Sequence, residues 1–250
     1  MSKSKLKRKE SRLHRNNQGV SENFELYAVT DTKKTVSPLR PMSKTQRSYM
    51  VAIECNTITF GTGFPGTGKT YIAAAMAADL LNEKKISKII ITRPAVEAGE
   101  SFGFLPGTLD EKYAPYLEPY IDAFHARLGK SYTDYLIKHK HIEAKALGFM
   151  RGLTFTDCWA LLDEAQNVST SQMKLFLSRL GNNAKAIISG DIDQSDISGK
   201  SGLGEAIKLL RDVPSVAHVD FDSPDDIVRS GIARDIIIAY AGQQQPKSYW

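Results

Sequence analysis

The ten residues GTGFPGTGKT, positions 61–70, constrain this chain more than any other stretch. Glycine at this density serves a backbone that must turn through positive φ or approach a ligand closely. Two fingerprints overlap here. Gly61, Gly63 and Gly66 spell G-x-G-x-x-G, the dinucleotide-binding turn. Gly63 to Thr70 spell G-x-x-x-x-G-K-T, the phosphate-binding P-loop. Both need a strand before and a helix after. The apolar run Thr57 to Gly61 and the Ala-rich pattern from about Lys69 to Glu83 supply them.

The residues that follow separate the two readings. A dinucleotide fold places an acid about 20 residues on, at the end of the second strand, to hold a ribose. Here that strand, Lys88 to Thr92, runs into Arg93-Pro94. Arg93 can meet a 2′-phosphate, so this test alone is not decisive. Lys69 and Thr70, however, are unexplained in the redox reading. In a P-loop, backbone N–H groups from Gly66 to Thr70 wrap phosphates, Lys69 reaches the β and γ oxygens, and the Thr70 hydroxyl ligates Mg²⁺. The following helix points its positive end at the anion.

A second stretch supports the triphosphate reading. WALLDEAQ, residues 159–166, is an apolar strand ending in two carboxylates. Asp163 is placed to hold Mg²⁺, and Glu164 to orient or deprotonate the attacking water. A third strand, Lys185 to Ser189, ends in GDIDQ at 190–194, where Gln194 or Asp191 can sense the γ-phosphate. In a parallel sheet all these strand ends share one edge. GDIDQSD also imitates the start of a calcium loop. Asp196 stands where that loop needs Gly and Gly202 where it needs Glu, which excludes it.

Strand and helix patterns alternate along the body, predicting an α/β fold with a largely parallel sheet flanked by helices. Helices are expected at 43–54, 69–83, 115–128, 132–138, 170–180, 202–211 and 224–241. Strands are expected at 57–61, 88–92, 142–146, 158–162, 185–189 and 215–221. Ser223, Pro224, Asp225 and Asp226 read as the N-cap and first turn of the last helix. Residues 94–114 read as a long functional loop. The domain is expected over 43–241, between an arm and linker at 1–42 and a polar tail at 242–250.

Composition adds bounds. The formal net charge of +5 is a property of the arm: residues 1–16 hold seven Lys or Arg and one acid, so the rest is near neutral. Such an arm can bind nucleic acid through phosphate neutralisation, or serve only as a solvated tail. The N-terminus has no apolar leader and no run spans a bilayer, so the expectation is a cytoplasmic protein with no membrane role. Cys55 and Cys158 are expected as buried, reduced thiols rather than a disulfide or metal pair. His139 and His141 lack a third ligand at a suitable spacing, which argues against zinc.

These motifs resemble the PhoH-like, phosphate-starvation-inducible P-loop ATPases. The resemblance rests on GFPGTGKT (63–70), TRPAVEAGESFGFLPG (92–107), Met150-Arg151-Gly152, LLDEAQN (161–167), QMKLFLSRLG (172–181), GDIDQSD (190–196), KSGL (200–203) and DDIVRS (225–230). The family is similar to the first motor domain of superfamily 1 helicases, implying a single RecA-like domain. By that resemblance Gln46 reads adenine. Gly63, Gly66, Thr67, Gly68, Lys69 and Thr70 hold ATP, and Thr70 and Asp163 hold Mg²⁺. Glu164 handles water, Gln194 couples the γ-phosphate to conformation, and Arg93 contacts a nucleic-acid strand.

Two departures stand out: Phe64-Pro65 replaces the family's Pro-Ala, and Arg229-Ser230 replaces its Arg-His. The resemblance implies a homo-oligomer, a hexameric ring. With one motor domain in the chain, Arg229 is expected to complete a neighbour's site, with Arg179 and Arg151 next in line. The implied function is Mg²⁺-dependent ATP hydrolysis coupled to helicase-like action on nucleic acid, single-stranded RNA first. The alternative is an ATP-driven switch docking onto a ribonuclease or a ribosome-associated partner. Phosphotransfer is disfavoured because a P-loop kinase needs no acid such as Glu164.

Overall fold

The computed structural model describes residues 36–94, 114–192, 194 and 201–243. Almost all of the basic arm, the loop expected at 94–114 and the end of the C-terminal tail lie outside them. In chain order the elements begin with α1 (Lys44–Cys55), β1 (Ile58–Gly63), α2 (Lys69–Asn82) and β2 (Lys88–Thr92). Then come α3 (Glu118–Leu128), α4 (Lys130–Lys138), β3 (Ile142–Ala144) and β4 (Cys158–Leu162). The chain continues through α5 (Thr170–Leu177), β5 (Lys185–Gly190), α6 (Gly202–Leu210), β6 (Val216–Phe221) and α7 (Ile232–Gln243).

The strands form one sheet in the order β3-β2-β4-β5-β1-β6, every pairing parallel. Parallel neighbours need helical crossovers, and those helices cover both faces. Alternation along the strands divides the core accordingly. On β4, Trp159 and Leu161 pack with Tyr49 of α1, Ala74 of α2 and Phe124 of α3. Cys158, Ala160 and Leu162 face the other way, toward Met173 and Phe176 of α5 and Leu203 of α6. A strand buried on both sides must be apolar throughout, which is why CWALL reads as a central strand. Parallel pairing also brings the ends of β1, β2, β4, β5 and β6 to one edge.

Two expectations require correction. The helix expected at 224–241 is broken. Ser223 does cap, accepting from the Asp225 N–H, but it starts only a 3₁₀ turn, Pro224–Asp226. The chain then runs non-helically to Gly231, at φ +53°, before α7 begins. The Val228 N–H donates to the Gly66 carbonyl at 3.0 Å, so a tertiary bond outcompetes helix continuation. The second correction is Cys55, which is exposed at the end of α1, whereas Cys158 is buried. The inward face of α1 carries Gln46, Tyr49 and Ile53, and Cys55 lies off it. Burial pushes the Cys158 thiol up to about 11, so it stays protonated. Among the described residues no helix is long and apolar enough to cross a membrane.

Candidate nucleotide site

The P-loop joins β1 to α2, and its glycines are there for conformation. Gly63, Gly66 and Gly68 have φ of +103°, +71° and +82°. A side chain at Gly63 would place its Cβ 2.4 Å from the Phe221 carbonyl oxygen of β6. Gly68 is the N-cap of α2 and leaves the helix start without a side-chain cap. Its first N–H groups and the positive end of the helix therefore face the loop, where an anion belongs.

Lys69 is buried, and its ammonium donates to the Gly63 carbonyl (2.8 Å), the Phe64 carbonyl (2.6 Å) and the Thr67 hydroxyl (3.1 Å). Its three donors are thus committed within the loop. Burial pushes its pKa down to about 8, against the pull of Asp191, Asp163, Glu164 and Asp220. Gln46 braces the loop from α1: its amide nitrogen donates to the Thr67 carbonyl at 2.9 Å, and its amide oxygen accepts from Met42 at 2.7 Å.

The acid half lies at the end of β4. Thr70 presents its hydroxyl 3.3 Å from both oxygens of Asp163. Burial, then the charge of Glu164, raises the Asp163 pKa, so this carboxylate gains from a cation. A buried carboxylate and a hydroxyl, completed by phosphate and water oxygens, form the hard donor set that Mg²⁺ requires. Thr70 and Asp163 therefore fit that ion.

Glu164 follows in the left-handed region, at φ +52°. A non-glycine residue held there costs on the order of 1–3 kcal/mol, a strain that concentrates at functional sites. One of its carboxylate oxygens accepts from Arg93 Nη2 at 3.1 Å, the other from Gln166 Nε2 at 2.7 Å. The Arg93–Glu164 pair is partly exposed, at 29% and 42%, so its net contribution to stability is about 0–1 kcal/mol.

The arrangement gathers most of the expected residues and reassigns some. Arg93, expected on nucleic acid, lies on Glu164. Arg229 is off any helix: its stem lies against Gly66 of its own chain, with Cγ 2.8 Å from where a Cβ there would stand. Asp225, in the 3₁₀ turn before it, pairs with Arg234 at 3.1 Å. Arg179 donates to the Leu153 carbonyl, and Arg151 is exposed beyond the 3₁₀ turn Leu147–Met150. Gln194 is exposed, its N–H donating to the Asp191 carbonyl at 3.2 Å. Asp191 is partly buried just beyond β5, and its negative charge favours the Lys69 ammonium.

Gln166 was not singled out in the sequence. It is buried, donates to Glu164, and accepts the Asp191 N–H at 3.1 Å, tying the acid strand to β5. Its place two residues after Glu164 in LLDEAQ was the available signal.

A family model described as PhoH-like protein matches residues 38–241. The chain is 46% identical over 207 residues to the PhoH-like protein of Bacillus subtilis, covering 82% of this chain and 65% of that one. It is 42% identical over 234 residues to the PhoH-like protein of Mycobacterium tuberculosis, covering 93% and 65%. Identity to Protein PhoH of Escherichia coli K12 is 39% over 221 residues, covering 87% and 62%. The chain thus spans 65% of the length of its mycobacterial relative. Among solved structures, the Pif1 helicase from Candida albicans is matched with a TM-score of 0.38 and 12% identity, over 74% of this chain and 41% of that one. With that family model matching most of the chain and relatives 39–46% identical, this chain belongs to the PhoH-like protein family.

Proposed function

We propose that the protein is a Mg²⁺-dependent ATPase that acts on nucleic acid, with single-stranded RNA as the first candidate. The observation that carries the ATPase reading is Thr70 facing Asp163, with Glu164 one residue further along the same strand end. Lys69 and the start of α2 bind and orient the triphosphate. Thr70 and Asp163 would hold Mg²⁺, which would supply charge neutralisation on the phosphate oxygens. Glu164 orients a water and takes its proton as the oxygen bonds to the terminal phosphorus. The bond from that phosphorus to the bridging oxygen breaks, and ADP leaves with the electron pair.

The nucleic-acid part is supported by the helicase-like family, the basic arm and an arginine at the end of β2. A homo-oligomer belongs to the same proposal. On α7, Ile232, Ile236 and Tyr240 are 73%, 49% and 68% exposed at one-turn spacing, an apolar stripe suited to burial by another copy. The test is ATP turnover by wild type and Glu164→Gln, with and without single-stranded RNA and DNA. The variant is expected to bind ATP normally while turnover falls by about 10²–10⁴-fold, the range for losing a general base. RNA is expected to accelerate the wild type. Normal hydrolysis by Glu164→Gln would remove Glu164 from the chemistry, and a wild type indifferent to every nucleic acid at low salt would remove the substrate class.

A further inference from the structure

Glu164 is the group that must face water, yet both its carboxylate oxygens are engaged within the chain. The two anchors differ in kind. Gln166 is 3% exposed, and its amide is fixed in orientation because its oxygen accepts from the Asp191 backbone. It can hold Glu164 in every state of the site. Arg93 is partly open to solvent and lies just beyond β2, at the edge of the sheet where ligands bind. Its bond to Glu164 is a single one through Nη2, which leaves the rest of its donor fork for another acceptor. A phosphate offers what a carboxylate does, an anionic oxygen pair matched to guanidinium, and is a better bidentate partner than a carboxylate met by one nitrogen.

We propose that Arg93 is a positioning residue that holds Glu164 in a stored orientation, and that a backbone phosphate of single-stranded nucleic acid releases Glu164 by taking the guanidinium. The proposal rests on the nucleic-acid reading above and adds the route by which binding reaches hydrolysis. With Arg93 on the phosphate, one Glu164 oxygen is left for water while Gln166 keeps the other in register. The same exchange explains why a residue expected on nucleic acid is found on the catalytic acid: the two placements are two states of one switch.

The experiment measures initial ATPase rates of wild type, Arg93→Ala, Arg93→Lys and the double variant Arg93→Ala with Glu164→Gln, each with and without a single-stranded RNA. Arg93→Ala is expected to turn over ATP several-fold faster than wild type without RNA. Its stimulation ratio should fall to about one, because the contact that couples the two ligands is gone. Arg93→Lys should fall between. The double variant should be as slow as Glu164→Gln alone, showing that the gain runs through Glu164.

RNA binding by Arg93→Ala should also lose one phosphate contact, lowering the slope of log affinity against log salt by about 0.7. Unchanged affinity for a fluorescent ATP analogue checks that the site is intact. An RNA-stimulated wild type with an Arg93→Ala basal rate at or below its own overturns the latch and leaves the RNA reading standing. A wild type that no nucleic acid stimulates, with Arg93→Ala still accelerated, overturns nucleic acid as the trigger and the reading beneath it, while the hold on Glu164 stands.

Discussion

The two halves of the site are built differently. The P-loop half is fixed by backbone: three glycines at positive φ, a carbonyl of β6 where a Gly63 side chain would stand, and a lysine with all three donors committed. The acid half pairs Asp163 with the Thr70 hydroxyl and holds Glu164 between a buried amide and a partly exposed guanidinium, the contact proposed to exchange. A rigid half suits a group that binds the same phosphates in every cycle. An adjustable half suits a group whose engagement must depend on a second ligand. Substitutions should therefore act on stability in the first half and on rate in the second.

The largest expected effect is on the rigid side. Gly63→Ala meets the Phe221 carbonyl and N–H of β6 at 2.4 and 3.0 Å, and its φ of +103° lies beyond the left-handed well that other residues tolerate. The backbone of β6 must move. The expected loss exceeds about 4 kcal/mol, a drop in melting temperature of roughly 10 °C or more. Gly231→Ala is the control: φ is +53° and nothing lies within 4 Å of the new Cβ, so the cost is the left-handed preference alone, about 1–2 kcal/mol. Equal melting temperatures for the two variants would show that close approach to β6 is not what fixes the loop.

The rigid half was also the more legible. Its strand, loop and helix are consecutive, so local pattern specifies them. The segment after β6 departs from its local helix signal for a physical reason. Ser-Pro-Asp-Asp carries a valid start signal, and the structure uses it, but for a single 3₁₀ turn. What stops the helix is the Val228 bond to Gly66, which joins residues far apart in sequence and leaves no local mark. The Arg93–Glu164 pair and the Gln166 bridge are likewise contacts between strand ends. They follow from the order of the strands in the sheet, which the sequence does not print. Cys55 is different, because its position off the Gln46, Tyr49 and Ile53 face of α1 was readable from helical spacing.

That broken helix carries the second prediction. Arg229 lays its stem against Gly66 of its own chain, which puts it beside its own P-loop rather than a neighbour's. Arg229→Ala is expected to lower kcat by about 10²-fold, the usual effect of losing one donor to developing charge. Mixing it with Glu164→Gln distinguishes the two seats. If Arg229 serves its own site, every chain in the mixture lacks one member and turnover stays low. If it serves a neighbour, some interfaces pair an intact Glu164 with an intact Arg229 and activity returns. The seat on Gly66 predicts no return.

The smallest and most graded effect is on pH, and it belongs to Lys69. In the free protein burial holds its pKa at about 8. A triphosphate places negative charge beside it, which favours the ammonium, so the pKa in the complex is higher. The sign follows. The protonated form is the tight binder, and nucleotide binding takes up a proton between the free and bound values. Affinity is therefore full below about pH 8 and falls above it, by at most about tenfold per pH unit.

The free protein moves the opposite way. Its Lys69 is depressed below the unfolded value of about 10.4, so the unfolded chain binds more protons across that window and stability rises with pH there. Dissociation constants for a fluorescent ATP analogue, measured from pH 7 to 9.5 at saturating Mg²⁺, read the first trend. Thermal melts of the nucleotide-free protein over the same range read the second. Lys69→Arg, charged at every pH used, should flatten the affinity curve. A wild-type curve as flat as that of Lys69→Arg would mean that the lysine is not buried deeply enough to feel the exchange of partners from loop carbonyls to phosphate.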